Sequence, residues 1–114
     1  MMNMNKDTIH RYALWAQKMN SIRLTEHIEL SDFMLLTEIL RREVFNEAPI
    51  NVMWLQKELA MSFTKVKAVL GRLEARKFIK KIPSKTDKRY KQLSITHSGK
   101  SFAYKIISNL DMEP

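Results

Sequence analysis

The sequence predicts a mainly α-helical domain with one small β-hairpin, a winged helix-turn-helix, and three observations carry that prediction. Apolar residues recur at helical spacing in five separate stretches, and two of these are joined by a turn of only a few residues. A pair of short alternating segments around a polar tip follows the second of them. The 114 residues hold only 2 glycines and 3 prolines, which leaves little room for long flexible connections.

Asp7 and Thr8 are placed to cap a first helix, 7–20, in which Ile9, Tyr12, Ala16 and Met19 fall at helical spacing and Leu14 and Trp15 widen the apolar face. Ser31 and Asp32 open a second, running to about Asn46. Its stripe of Phe33, Leu36, Leu40 and Val44 is broadened by Leu35 and Ile39, as suits a helix packed on two sides. Pro49 ends that segment, and Asn51 caps a short helix from Val52 to about Ala60 with Leu55 and Leu59 four apart. Ser62 is the N-cap of the next, which reaches about Arg76 and turns Val66, Val69, Leu70 and Leu73 to one side.

Residues 78–82 read as a strand, Pro83 to Arg89 as a hairpin tip, and Tyr90 to Thr96 as the return strand with Leu93 and Ile95. His97-Ser98-Gly99 breaks the pattern. Phe102, Ala103, Ile106, Ile107 and Leu110 then describe a last helix, 98–110. With 45% hydrophobic residues, this is a single domain over 1–114, its binding core at 52–96 and its flanking helices at 7–20 and 98–110.

Charge is concentrated rather than spread. Between Phe63 and Lys91 there are eleven basic residues against Glu74 and Asp87, a net of +9, so the rest of the chain carries −1 of the overall +8. One sign gathered on one segment marks where a polyanion would sit, and double-stranded DNA is the partner expected. Taking Val66 as the buried direction, Thr64, Ala68, Gly71 and Ala75 lie near the opposite side at about 100° per residue. This outward strip is small, with Lys67 on one flank and Lys65 and Arg72 on the other. Such a ridge approaches a major-groove floor closely, and the alternative is an ordinary solvated face of lysines and helix-favouring alanines.

The residues expected on DNA are therefore Ser62 at the start of the helix, Thr64, Lys65, Lys67 and Ala68 at base edges and the groove floor, and Arg72 and Arg76 on phosphates. In the hairpin they are Lys85, Lys88 and Lys91 on phosphates and Arg89 in the minor groove, with Asp87 placed to orient Arg89. Gly71 costs roughly 1 kcal/mol against alanine in mid-helix, which asks for a packing or close-approach reason.

Other chemistries find no footing. The chain has no cysteine, so disulfides, thiolate metal sites and thiol redox sensing are excluded. His10, His27 and His97 stand far apart without ligand spacing, and no phosphate-cradling glycine loop or nucleophile signature occurs. No metal, cofactor or enzymatic activity is expected. The first residues lack the apolar run of a signal peptide and nothing approaches a membrane span of about 20 apolar residues, so a cytoplasmic protein is expected. The 8 methionines, with Trp54 near Met53, read first as core filler, and no effector is named by the sequence.

From Leu55 to Lys100 the chain resembles, without gaps, the winged-helix core of the MarR family of bacterial transcription regulators. The residues that carry this are Leu55, Leu59, Met61-Ser62 and Val66, then Arg72-Leu73-Glu74, Phe78-Ile79, Asp87-Lys88-Arg89, and Leu93-Ser94-Ile95-Thr96 with Gly99. The resemblance implies a homodimeric repressor or activator, with the recognition helix in the major groove, Arg89 in the minor groove, and two half-sites about one helical turn or a multiple of it apart. Ala60 and Lys77 stand where the family usually has glycines, predicting differently shaped turns there. Roughly 15 residues follow Gly99, where typical members have a long two-helix arm; in length the chain is nearer the SarA-like staphylococcal accessory regulators.

Dimerisation is then expected through Ile9, Tyr12, Trp15, Ala16 and Met19 of the first helix and Phe102, Ile106 and Leu110 of the last. The competing reading has both helices closing the monomer's own core. Two rival functions stand beside the regulator: a winged-helix adaptor for an acidic protein, and a plasmid or phage replication or partition factor reading repeated sites.

Overall fold

The structure is a computed structural model that describes residues 5–48, 50, 52–83 and 91–111, the side chain of Lys91 excepted. Along the chain come α1 (Lys6–Glu26), α2 (Leu30–Val44), α3 (Val52–Glu58), α4 (Phe63–Ala75), β1 (Ile79–Pro83), β2 (Lys91–Ile95) and α5 (His97–Leu110). This is the mainly α, hairpin-bearing winged helix-turn-helix that the periodicities predict. The expected Pro49 stop, Asn51 cap and hairpin residues 84–90 lie outside the described residues.

α1 and α5 differ from their expected bounds, as does α2, which starts at Leu30 rather than after a Ser31-Asp32 cap and ends at Val44. α1 continues past Asn20 to Glu26 because nothing in 21–26 breaks a helix; it ends where His27 turns left-handed, at φ 55°. Its N-cap is Asn5, whose side chain accepts from the Asp7 N–H at 2.7 Å. α5 starts at His97, so the triplet read as a break is its first turn. Thr96 is the N-cap, its Oγ1 accepting from the Gly99 N–H at 3.0 Å.

Gly99 owes its identity to a close approach. A Cβ at this position would collide with the Phe78 carbonyl oxygen and lie 2.8 Å from Ile95 Cγ1, so α5 sits on the start of β1 only because that position lacks a side chain. The same carbonyl accepts from the Thr96 N–H at 2.9 Å, which ties the hairpin's return end to its entry.

α2 is the central element, packing on α4, β2 and α5. Leu35, Leu36, Ile39 and Leu40 are buried there against Leu55, Val66, Val69, Leu70, Leu73, Leu93 and Ile106. β1 and β2 pair antiparallel with Ile79 opposite Ile95 and Lys81 opposite Leu93. The Leu93 N–H donates to the Ile50 carbonyl at 3.1 Å, anchoring the hairpin to the segment between α2 and α3.

Ala60 and Lys77 adopt φ of 51° and 61°. The turns after α3 and α4 are therefore of the left-handed kind that glycine makes without strain, carried out by L-residues.

The flanking helices divide unequally between core and surface. Met19, Phe102 and Ile106, expected on a dimer face, are buried in the monomer, with Phe102 stacked on Phe78 at 4.5 Å between ring centroids. An apolar stripe wants cover, and here the hairpin root and α2 supply it. The first half of α1 is different: none of residues 6–18 is buried, and Ile9 and Tyr12 are 56% and 67% exposed. The radius of gyration, 16.0 Å, exceeds the roughly 13 Å of a compact chain of this length, consistent with a helix that stands off the body.

Candidate nucleic-acid interface

α4 begins where Ser62 accepts from the Lys65 N–H at 3.1 Å, so the Ser62 hydroxyl is engaged as a cap. Val66, Val69, Leu70 and Leu73 are buried, which turns Thr64, Lys65, Lys67, Ala68, Gly71 and Ala75 to the outside. The outward strip is the low ridge that the spacing predicts. The Lys67 ammonium lies 5.4 Å from the Phe63 ring centroid, which draws that charge toward the helix N-terminus. Among the described residues, no atom outside the local helix backbone comes within 4 Å of a Cβ built on Gly71, so no packing among them requires a glycine there.

The two arginines of this segment already have partners inside the molecule. Arg72 donates from Nε and Nη2 to the two carboxylate oxygens of Asp32 at 2.9 and 2.6 Å. That hydrogen-bonded pairing holds the guanidinium above its ordinary pKa. Asp32 is buried while about half of the Arg72 side chain is exposed, so the pair closes one end of the α2 to α4 contact and shows its other side to solvent. Arg76 donates from Nη1 to the His27 carbonyl at 3.0 Å and from Nη2 to the Glu26 carbonyl at 3.2 Å. The placement of both on phosphates, expected from charge alone, left these internal partners unseen.

Between the starts of α2 and α4 lies an open hollow of about 520 Å³, with Lys65 and Arg72 on its wall. On the hairpin, Lys80 and Lys81 of β1 are exposed, and Lys81 meets Glu74 at 3.4 Å. Glu74 is the acidic residue of α4, so this contact reduces the negative charge the helix presents. Lys85, Lys88 and Arg89, with Asp87, fall outside the described residues, and of Lys91 only its backbone pairing with Pro83 is described. The structure thus brings Ser62, Thr64, Lys65, Lys67 and Ala68 onto one face and says nothing of the hairpin tip.

Asp32 is the residue that sequence reasoning misplaced. Its place beside Ser31 suggests a cap, but the N-cap of α2 is Glu29, which makes no side-chain cap bond, and Asp32 lies in the first turn. The signal was present: Asp32 stands four before Leu36 and seven before Ile39 on the buried stripe, and an acid on such a stripe needs a cationic partner. Among the described residues no group of three His, Asp or Glu could hold a metal ion, and no helix is long and apolar enough to cross a membrane.

No family sequence model matches the chain, and no curated protein sequence does. The fold matches solved structures of MarR-type winged-helix regulators. A Staphylococcus aureus MepR variant shares it with TM-score 0.78 at 19% identity, over 96% of this chain and 78% of that one. The S. aureus MepR–DNA complex matches with TM-score 0.76 at 20% identity, over 88% and 72%. An Escherichia coli MarR variant complexed with operator DNA matches with TM-score 0.71 at 20% identity, over 91% and 71%. At these identities the likeness is one of fold.

Proposed function

We propose that this chain is a sequence-specific, double-stranded DNA-binding transcription regulator that acts as a homodimer, with α4 in the major groove and the hairpin in the minor groove. The observation that carries the reading is the outer face of α4. Thr64, Ala68 and Gly71 form a shallow strip flanked by Lys65 and Lys67, on a helix braced from behind by four buried side chains. A rigid helix with small outward residues lets its backbone approach base edges, while the lysines reach guanine acceptors or phosphates. MepR and MarR are known in DNA complexes on this same fold, which supports the choice of partner.

In this reading Thr64 and Ala68 touch the groove floor, and Lys65 and Lys67 contact bases or the phosphates beside them. Lys85, Lys88 and Lys91 hold the backbone at the wing, and Arg89 enters the minor groove. The dimer forms on the apolar part of α1 left outside the core, exposed Ile9, Tyr12 and Ala16 with half-buried Trp15, joined by exposed Ile107 and half-buried Leu110 at the end of α5. The protein acts by occupying or bending promoter DNA, and catalysis plays no part.

A second reading, an adaptor for another protein, draws on the exposed Val44, Phe45, Met53 and Trp54 at the end of α2 and the start of α3. One experiment separates the two. Purified protein is used to select duplex fragments at two salt concentrations, beside Lys65→Ala/Lys67→Ala and Arg89→Ala. Enrichment of one short palindrome, weakened by both variants and falling steeply with salt, supports the regulator. No retention of duplex even at low salt sinks it in favour of the adaptor.

A further inference from the structure

The Arg76 side chain stands at a junction of three helices. Arg76 is the C-cap of α4: its N–H donates to the Arg72 carbonyl, and the N–H of Lys77 donates to the Glu74 carbonyl. Its guanidinium forks onto the carbonyls of Glu26 and His27, the last residue and the C-cap of α1. The last carbonyls of a helix have no partner within it, and a cation placed there also meets the negative end of the helix dipole. The guanidinium carbon lies 4.7 Å from the ring centroids of both Phe78, at the root of the hairpin, and Phe102, in α5. Beside it, Lys105 of α5 pairs with Glu26 at 2.8 Å. One planar group at the end of α4 thus caps α1 and lies beside the ring pair that joins the hairpin to α5.

We infer that Arg76 is a positioning residue that sets the angle between the α1 arm and α4. Resting on the dimeric reading above, it thereby sets the half-site spacing that two copies accept. A lysine keeps the charge but cannot fork onto two carbonyls while packing against two rings, so the function requires the guanidinium and not merely a cation. A residue that only held a phosphate would behave oppositely, since lysine serves nearly as well there.

The test has two readouts. The chain has no cysteine, so cysteines placed at the exposed Ala13 of α1 and Ala68 of α4 take spin labels cleanly. Their separation is measured by pulsed dipolar spectroscopy in labelled protein diluted with unlabelled chain. Wild type is expected to give one narrow distribution, and Arg76→Gln and Arg76→Lys a broadened or displaced one, with Lys77→Gln as the charge-loss control that leaves it unchanged. An unaltered distribution in both Arg76 variants overturns the inference, and the lysine variant guards against a glutamine variant that fails to fold.

On selected operators whose half-sites are moved apart in single base-pair steps, wild type is expected to prefer one spacing by about tenfold and both variants by no more than about twofold. The slope of affinity against salt should stay as in wild type. A slope lowered by about one in Arg76→Gln and restored in Arg76→Lys, with spacing preference intact, assigns Arg76 to a phosphate and overturns the inference. Should wild type bind no duplex, the DNA reading falls, and the distance measurement judges Arg76 alone.

Discussion

Arg72 of α4 and Asp32 of α2 are joined by two hydrogen bonds, at 2.9 and 2.6 Å, across 40 positions of sequence. Buried Asp32 has no comparable partner in its own helix beyond a 3.4 Å contact from Ser31, so the pair fixes where α4 lies along α2. A carboxylate taken out of water depends on its counter-charge far more than the exposed arginine does.

Arg72→Ala is therefore expected to lower stability by about 2 kcal/mol, less than for a fully buried pair because half of Arg72 stays in water. Replacing Asp32 by Asn in the same chain should recover part of that loss, since no uncompensated charge is then left inside. Chemical denaturation of the two single variants and the double variant measures the coupling. Simple addition of the two single losses would show that the carboxylate does not depend on Arg72.

Gly99→Ala is expected to cost about 3 kcal/mol, through a Cβ driven against the Phe78 carbonyl, which is backbone and cannot swing away. Its thermal midpoint should fall sharply, whereas Ser98→Ala, one residue earlier and exposed, should change little. Equal effects at the two sites would mean that the approach of α5 to β1 is not what demands glycine.

The order of helices and hairpin was legible because each element carries its own local period and its own boundary residues. Thr96 and Gly99 were visible as a motif, though not as a cap and a close contact. What stayed hidden was tertiary. Periodicity shows that Phe102 and Ile106 lie on an apolar face but not whether a second copy or the chain's own α2 covers it. Arg72 and Arg76 look like their neighbouring lysines in a basic stretch until the fold brings Asp32 and the end of α1 to them. The outward strip of α4 was readable because a buried face at 3.6-residue spacing fixes its opposite.

Lys77→Gly is expected to stabilise the protein by about 0.5 to 1 kcal/mol. The residue holds φ at 61°, and relief of that strain exceeds the extra entropy glycine brings to the unfolded chain. Denaturant midpoints of Lys77→Gly and Lys77→Ala decide it: the glycine variant should be the more stable of the two, and the reverse order would mean that the turn carries no such strain.

Glu38 accepts from Arg41 at 2.6 and 3.2 Å and from Arg42 at 3.2 Å, which holds its carboxyl below the ordinary carboxylate value. The folded state therefore binds the proton less readily than the unfolded one. The stabilisation is fully present above the unfolded pKa of about 4.3 and is lost as pH falls through the lower folded value. Glu38→Gln should be less stable than wild type by about 1 kcal/mol at pH 7, and the gap should close on going down toward pH 3. A gap that stays constant over that range would assign the loss to shape and not to charge.

Gly71 gives the sharpest separation of folding from binding. Among the described residues no atom outside the local helix backbone lies within 4 Å of its missing Cβ, and its backbone is helical, so alanine there has only the propensity gain to express. Gly71→Ala should raise the stability of the free protein by about 1 kcal/mol. On duplex DNA it should do the opposite, because the added methyl stands on the strip proposed to meet the groove floor and there meets atoms that the free protein lacks. Thermal melting and duplex titration on the same preparation read both signs. A variant that is more stable and binds as tightly as wild type would show that α4 does not approach the groove along the line of Thr64, Ala68 and Gly71.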